Sequence, residues 1–309
     1  MTALASAQDA VERRTTARGR ALMTTAALLT TFSLVTAERI VGSATRGTFG
    51  IDARIYRSAA EAALAGRDPW AVGVDGLTFA GPPPTLVAYI PAALLPEGIA
   101  LLLYAAISIA AAVAVLRTLH LPIWWLLFPP ISDSLLVLNP DIVVIALLVA
   151  TPRFAALSVP LKPYAAVPLL LTERWKPLAI GLGLCLLSVP WWSAFLANRE
   201  AIAAALASQS FGGMSAWATW LMVPTGLALV VLFRRGAEWL AVPALWPYTQ
   251  LHYSALALPI AAKNVVVAFL LCFSVAFLPP IATIVYAVWV VVARRLAIYR
   301  ANALATVSA

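Results

Sequence analysis

Three observations in the amino-acid sequence predict an all-α, polytopic transmembrane bundle of about ten spans. The chain is 62% hydrophobic. Only 11% of its residues are charged, where a water-soluble domain needs about a quarter to clothe its surface. Apolar runs recur along its length without the polar–apolar alternation of strands, and a span needs roughly 20 such residues. Lipid offers no partner to a bare N–H or C=O, so the backbone must close its own hydrogen bonds. Without alternation that means helices rather than a barrel.

The elements follow in order. Arg13, Arg14, Arg18 and Arg20 precede an apolar run from Ala21 to Ala37. No small-residue cleavage site hands over to a soluble domain, so a retained first helix is expected over 21–41. Further helices are expected at 82–95 and 98–117, joined at Pro96-Glu97-Gly98. Others fall at 119–131, 134–151, 154–172, 177–197, 215–233 and 238–262. The run 265–293 contains Pro279-Pro280 and reads as one broken helix or two short ones.

Charge sets the orientation. Cytoplasmic loops collect Lys and Arg. The basic N-terminus, Arg174 with Lys176, Arg234 with Arg235, and the tail with Arg294, Arg295 and Arg300 fall on one side if 265–293 crosses once. The expected organisation is a cytoplasmic N-terminus over 1–20, one membrane domain over 21–293 and a cytoplasmic tail over 294–309. Loops 42–81 and 198–214 then face outward. The net charge of +8 is explained by these helix ends and calls for no nucleic acid. Cys185 and Cys272 both lie in apolar runs and read as small packing residues. The Ala- and Arg-rich composition points to a GC-rich bacterial source and to nothing more; the expected localisation is a bacterial plasma membrane, with both termini cytoplasmic.

The 42–81 loop is unusual. Glu38, Arg39, Arg46, Asp52, Arg54, Arg57, Glu61, Arg67, Asp68 and Asp75 lie in or beside it, a large share of the charge in the chain. Within it Ile55, Ala59, Ala62, Ala63 and Leu64 recur at helical spacing, and Gly66 follows as a stop signal. A short amphipathic helix is expected at about 54–65, lying on the outer membrane surface.

Several polar residues could carry chemistry. Asp52, near the start of that helix, is either a general base for a hydroxyl nucleophile or a helix cap. Lys162, in Leu161-Lys162-Pro163-Tyr164, is either a cation in a polar cavity that suits a phosphate or a snorkelling side chain. His252 sits among Tyr248, Gln250 and Tyr253, as a structural hydrogen-bonding residue or as part of a lined polar pocket. Asn139-Pro140-Asp141 is a third intramembrane polar group, in which Asp141 pairs with a base or caps a broken helix. Asp68-Pro69-Trp70 reads as a turn, with Trp70 as an interfacial anchor or a sugar-stacking ring. Under the expected topology Asp52, Lys162 and His252 all fall on or near the outer side, which suggests one outward cavity for an anionic lipid-borne substrate.

The stretch from Asp52 through Tyr56, Ala59, Leu64 and Gly66 to Asp68-Pro69-Trp70 resembles the first outer loop of glycosyltransferase family 87, GT-C type enzymes that use polyprenyl-phosphate mannose. Three further blocks follow in the family's order: Phe79-Ala-Gly-Pro82-Pro83, then Leu161-Lys162-Pro163-Tyr164 with Glu173-Arg174-Trp175, then Trp246-Pro247-Tyr248-Thr249-Gln250-Leu251-His252-Tyr253. The resemblance covers about residues 20–262. Trp246 stands where the family prefers a small residue, and Gln250 where it often has Trp.

The resemblance implies a GT-C-like fold and an inverting transfer of mannose, or a related sugar, from a polyprenyl phosphate to a lipid-linked or glycan acceptor. Asp52 would be the base. Lys162 and His252 would hold the donor phosphate, helped by Arg54 or Arg57, with Tyr56, Gln250 and Tyr253 contacting substrate. No cofactor is implied, no nucleotide fingerprint is present and no metal ligand set is recognisable. Two other classes stand beside this one: a transporter or flippase for a lipid-linked sugar, and a non-catalytic membrane scaffold.

Overall fold

The computed structural model describes residues 2–209, 219–248 and 250–308, with side chains described over 19–207, 219–248 and 250–299 and at 301. The arginines expected at 13, 14, 18 and 300, Thr249, and the ends of the 198–214 loop and the 215–233 helix lie outside the described side chains or residues.

The protein is mostly helical, with one two-residue hairpin, Gly73–Val74 against Leu77–Thr78. Among the described residues four helices are long and apolar enough to cross a membrane: Gly19–Arg46, Glu97–Thr118, Trp175–Ala197 and Leu278–Tyr299. In their most apolar windows only 17% to 33% of residues are buried. Side chains such as Leu34, Leu102 and Leu186, each about two-thirds exposed or more, therefore present hydrocarbon outward. Such a surface is stable against lipid and not against water.

The first of these helices belongs to α1, Thr2–Arg46, longer at both ends than the expected 21–41. Helix α2, Ile51–Leu64, matches the expected amphipathic helix to within a turn. Its apolar stripe of Ile51, Ile55, Ala59, Ala60 and Ala62 is buried, while Leu64 is half-exposed. That stripe packs on protein, against Phe79, Leu86 and Tyr89, rather than lying free on a membrane surface. Helix α3, Pro83–Ala93, opens on two prolines, whose missing N–H groups fall where a helix has no acceptor to offer. Helix α4, Glu97–Thr118, follows at once.

The middle of the chain departs from the expected uninterrupted spans. A 3₁₀ turn, Ile123–Leu127, precedes α5, Pro129–Val137, which restarts at Pro129-Pro130 instead of ending near 131. Helix α5 ends at Leu138 in the left-handed region (φ 55°), a costly conformation for a residue with a Cβ. Helix α6, Asp141–Ile145, passes into a π turn, Ala146–Ala150. After a 3₁₀ turn at Pro152–Leu157, α7, Ser158–Leu161, stops at the extended residue Lys162. The following proline disfavours helical geometry at that position. The path resumes through Pro163–Ala165 into α8, Ala166–Leu171.

Helix α9, Trp175–Cys185, continues by a 3₁₀ turn into α10, Trp192–Ala197, and α11 covers Arg199–Gln209. Helix α12, Met222–Val231, leads to α13, Ala237–Leu245. The expected 238–262 span breaks after Leu245, and a 3₁₀ segment, Leu251–Ala257, runs into α14, Leu258–Ala261. The 265–293 run is two pieces. Helix α15, Val265–Leu270, is capped by the Asn264 side chain, which accepts from the N–H groups of Val266 and Val267 (both 3.1 Å). Helix α16, Leu278–Ser308, carries Pro279-Pro280 in its first turn, so the prolines begin a helix rather than break one. It also runs straight through the expected tail boundary at 294.

The main core lies where the broken elements meet α1, α4 and α16, around Phe32, Phe128, Ile131, Ile142, Ile145 and Leu256. A smaller core joins α2, α3 and the 191–206 region. Trp70 belongs to it, 4% exposed, with Nε1 donating to the Gly81 carbonyl (2.9 Å) and its ring edge-on to Phe195. It is neither an interfacial anchor nor an exposed platform, because the Asp68 turn folds it inward: Asp68 Oδ1 accepts from the Trp70 N–H (2.9 Å). Cys185 and Cys272 are free thiols, and Cys272 is packed in the core.

Candidate functional site

Three backbone irregularities build the site. Gly50, at φ +64°, ends the α1–α2 turn and donates its N–H to the Leu136 carbonyl (2.8 Å), fastening the start of α2 to α5. A Cβ at Gly50 would stand 3.3 Å from Leu138 Cδ1, so the approach suits glycine in space as well as in φ. The left-handed Leu138 then turns Asn139 and Asp141 inward, and the break at Lys162 turns its side chain toward them.

Asp52 lies in the first turn of α2, where a negative charge is favoured by the helix dipole. It makes no capping bond at this helix start; its Oδ2 accepts from Asn139 Nδ2 (2.6 Å), a partner 87 residues away. Asn139 in turn accepts through Oδ1 from the Asp141 N–H (3.1 Å), so it bridges Asp52 and Asp141. Asp52 is half-buried, and burial pushes its carboxyl above the usual carboxylate range, against the pull of His252, Asn139 and Lys162.

Lys162 is buried, not snorkelling: 7% of the residue is exposed. Its Nζ donates to the Tyr56 hydroxyl (3.1 Å) and stands 3.6 Å from Asp141 Oδ1. The rings of Tyr253, Tyr56 and Tyr164 surround it at 5.2, 5.6 and 6.0 Å, within cation–π range. Tyr56 accepts from Lys162 and lies 3.5 Å from Asn139 Nδ2, which leaves its own O–H to donate. Burial raises the Tyr56 phenol, so it stays protonated near neutrality. Asp141 is fully buried and also accepts from the Tyr164 hydroxyl. It pairs with the basic side chains of Lys162 and His252 and also starts α6.

Asp52, Tyr56, Asn139, Lys162, Tyr164, Gln250 and Tyr253 line one cavity of about 250 Å³, with Trp246 and Tyr248 at its wall. Of the six residues the sequence singles out besides Asp52 and His252, four thus converge, namely Tyr56, Lys162, Gln250 and Tyr253. His252 does not line this cavity. Its Nδ1 lies 3.3 Å from Asp133 Oδ2 and its Nε2 3.9 Å from Asp141 Oδ2, and it lines a second cavity of about 470 Å³ that shares Asp52 with the first.

Arg54 and Arg57 face neither Lys162 nor the first cavity. Arg54 pairs with Asp75 (3.1 Å) and donates to the Gly47 carbonyl (2.9 Å). Arg57 pairs with Glu61 (2.6 Å) and donates to the Leu95 carbonyl (2.9 Å). Helical periodicity accounts for this: Arg54 and Arg57 lie on other faces of α2 than Asp52 and Tyr56, which are themselves one turn apart. They brace α2 rather than meet a ligand in the first cavity.

Sequence reasoning passed over Asp133 and gave Arg39 no site role. Arg39 lies 3.9 Å from Asp133 Oδ1 and bonds to the Ser274 hydroxyl, tying α1 to the 271–277 break. The two residues are 94 positions apart with no local pattern to join them; the one available signal is that each is charged beside an apolar run. The center holds three acids, Asp52, Asp133 and Asp141, and three bases, Arg39, Lys162 and His252. Buried charges persist when matched in this way. Compared with protein-family models, curated proteins and solved structures, the chain matches none.

Proposed function

We propose that the protein is an integral membrane glycosyltransferase that moves a sugar, mannose or a close relative, from a polyprenyl phosphate to a hydroxyl acceptor on the outer side of a bacterial plasma membrane. The observation that carries this is the pairing, across one cavity, of a half-buried carboxylate with an ammonium ringed by three tyrosines. Transfer to a hydroxyl needs a base beside the nucleophile and a fixed cation where the leaving phosphate gathers charge. Tyrosine faces suit the apolar side of a sugar ring.

In this reading Asp52 takes the acceptor proton as that oxygen attacks the anomeric carbon. The bond from the anomeric carbon to the phosphate oxygen breaks, and its electron pair leaves with the phosphate toward Lys162. Attack opposite the leaving group inverts the carbon. Tyr56 donates to the leaving or ring oxygen, Gln250 and Tyr253 contact the sugar, and His252 holds Asp133 and Asp141 in place instead of touching the donor.

Two contacts support a common orientation for the loops. The side chains of Glu173 and Arg234 pair, joining two of the basic turns, and Asn198 donates to Asp68 (2.8 Å), joining the two acidic or polar loops. The fold proposed is GT-C-like, with about ten crossings in which broken pieces such as α5–α6, α7–α8 and α13–α14 complete spans together. The test is transfer of radiolabelled mannose from polyprenyl-phosphate mannose to a panel of lipid-glycan acceptors by purified protein in detergent. Transfer that is abolished in Asp52→Asn, with donor binding retained, supports the reading. No transfer to any acceptor with donor bound argues against it.

One observation favors a second reading, a flippase for a lipid-linked sugar: short broken helices frame buried ion pairs, as in secondary transporters. In that case Asp52→Asn would leave the protein's activity on vesicles largely unchanged.

A further inference from the structure

A charged surface lies a full span away from Asp52 and has no part in the chemistry above. Two contacts fasten three of its turns together. Arg174 spends its guanidinium on the Leu148 and Pro152 carbonyls (3.0 and 2.9 Å), which ties the 172–176 turn to the 151–154 turn. Glu173 pairs with Arg234, which ties the same turn to the one at 232–236. Trp175 begins the span whose far end brings Phe195 to the wall of the first cavity. The roughly 20 residues between them set these turns roughly 30 Å from that cavity.

Each turn presents the same pair, an exposed cation beside an exposed aromatic ring. Arg153 stands over Phe154 (4.8 Å to the ring centroid), Lys176 follows Trp175, and Arg234 stands over Phe233 (5.6 Å). Arg235 adds a fourth exposed cation. Glu173 is the one acid in the three turns, and it answers Arg234. Arg153, Lys176 and Arg235 meet no carboxylate among the described residues. Hydrocarbon begins beside them. Gly181 lets α9 close onto the 152–159 segment, since a Cβ there would stand 2.8 Å from the Ala156 carbonyl oxygen and 2.7 Å from Val159 Cγ2. Around that contact Phe154, Leu157 and Ile180 stay 47%, 47% and 49% exposed. A soluble polyanion would answer the cations and leave the rings and this flank facing water. An anionic phospholipid answers all three: its phosphate meets the cations, its interfacial region the rings, and its acyl chains the flank.

We infer that the three turns form a binding surface for anionic phospholipid in the leaflet opposite Asp52, with the acyl chains along Phe154, Leu157 and Ile180. The inference needs the chain to sit in a bilayer and needs nothing of the glycosyltransferase reading. A lipid that bridges the turns braces α8, which leads away from the Lys162 break, and α13, which leads toward His252.

The test uses the full chain, purified in a neutral detergent and offered equal amounts of dioleoyl phosphatidylglycerol and dioleoyl phosphatidylcholine. Native mass spectrometry counts the retained lipids, and thermal unfolding reads the bracing. Phosphatidylglycerol should be retained in preference and should raise the unfolding midpoint, while phosphatidylcholine does neither. Arg153→Gln with Lys176→Gln should weaken phosphatidylglycerol retention by about tenfold. Arg235→Gln alone, which carries the test if the double variant does not fold, should weaken it by about threefold. Arg67→Gln with Arg199→Gln removes the same charge from exposed positions on the Asp52 side and should leave retention within about twofold. Equal retention of the two lipids, equal loss in the two double variants, or full displacement of the lipid by inorganic pyrophosphate would each overturn the inference. Sugar transfer plays no part in these measurements, so failure here leaves the enzyme reading standing, and failure of transfer leaves this surface standing.

Discussion

The uninterrupted helices and the broken ones divide the work of this protein. Helices α1, α4 and α16, and the 175–197 stretch in which a 3₁₀ turn joins two helices, carry long apolar runs with mostly exposed side chains, and of the six titratable groups at the center they supply Arg39 alone. The broken segments over 129–171 and 237–261 supply Asp133, Asp141, Lys162 and His252, and they line the first cavity together with α2, the 78–85 stretch, Phe195 and α11. An unbroken helix satisfies its own backbone and needs only hydrocarbon around it. A break frees backbone groups and redirects side chains, and it is stable only when other polar groups answer them. Charge therefore gathers at breaks, and with it the groups of the proposed chemistry.

The largest expected effect is at Asp52. Asp52→Asn keeps shape and the Asn139 contact but removes the base, so sugar transfer should fall by about 10²–10⁴-fold with donor affinity little changed, as measured by radiolabel transfer and equilibrium binding. The pH profile sharpens the same point. Burial raises the Asp52 carboxyl, so as pH falls it gains a proton earlier than an exposed aspartate would. Transfer rate should then show an acid limb above the ordinary carboxylate range, and an acid limb at the ordinary carboxylate pKa would break the assignment.

Next is Lys162. Lys162→Met leaves the buried Asp141 without its ammonium, which should cost about 3–5 kcal/mol in thermal or denaturant unfolding. Adding Asp141→Asn should recover part of that loss, because the uncompensated charge is gone. If the double variant were as unstable as the sum of the singles, the ion pair would not be the cause.

Gly50→Ala comes third. A left-handed φ of +64° and a Cβ 3.3 Å from Leu138 should destabilise by about 1–2 kcal/mol and loosen α2 on α5, visible as faster amide exchange in α2. The smallest effect belongs to the uninterrupted class: Leu102→Val, at a lipid-facing site 73% exposed, should change the unfolding midpoint by no more than about 0.5 kcal/mol affords. A large effect there would erase the contrast between the two kinds of helix.

Local pattern made part of this legible in sequence. The stripe of Ile55, Ala59 and Ala62 with Gly66 behind it located α2, and the Asp68-Pro69 turn formed as its chemistry requires. Lys162 stood out because an ammonium in an apolar run has to find partners. What stayed hidden depends on distance along the chain. His252 meets Asp133 across 119 residues, and Asp52 meets Asn139 across 87, and no periodicity reports such pairings. Expected spans were read as continuous because hydropathy averages over a window and passes across Asn139-Pro140, Lys162-Pro163 and Pro247. Arg54 and Arg57 looked available for phosphate because the sequence does not show that Asp75, Glu61 and the Leu95 carbonyl claim them.

The central claim is that donor phosphate and catalytic carboxylate occupy opposite walls of the first chamber. An electron cryo-microscopy structure with a phosphonate analogue of polyprenyl-phosphate mannose tests it most directly. The account expects the phosphonate within hydrogen-bond reach of Lys162 Nζ, with the mannose between Tyr56 and Tyr253 and its anomeric carbon toward Asp52. A headgroup seated anywhere else, with Lys162 still held by Tyr56 and Asp141 alone, would contradict it.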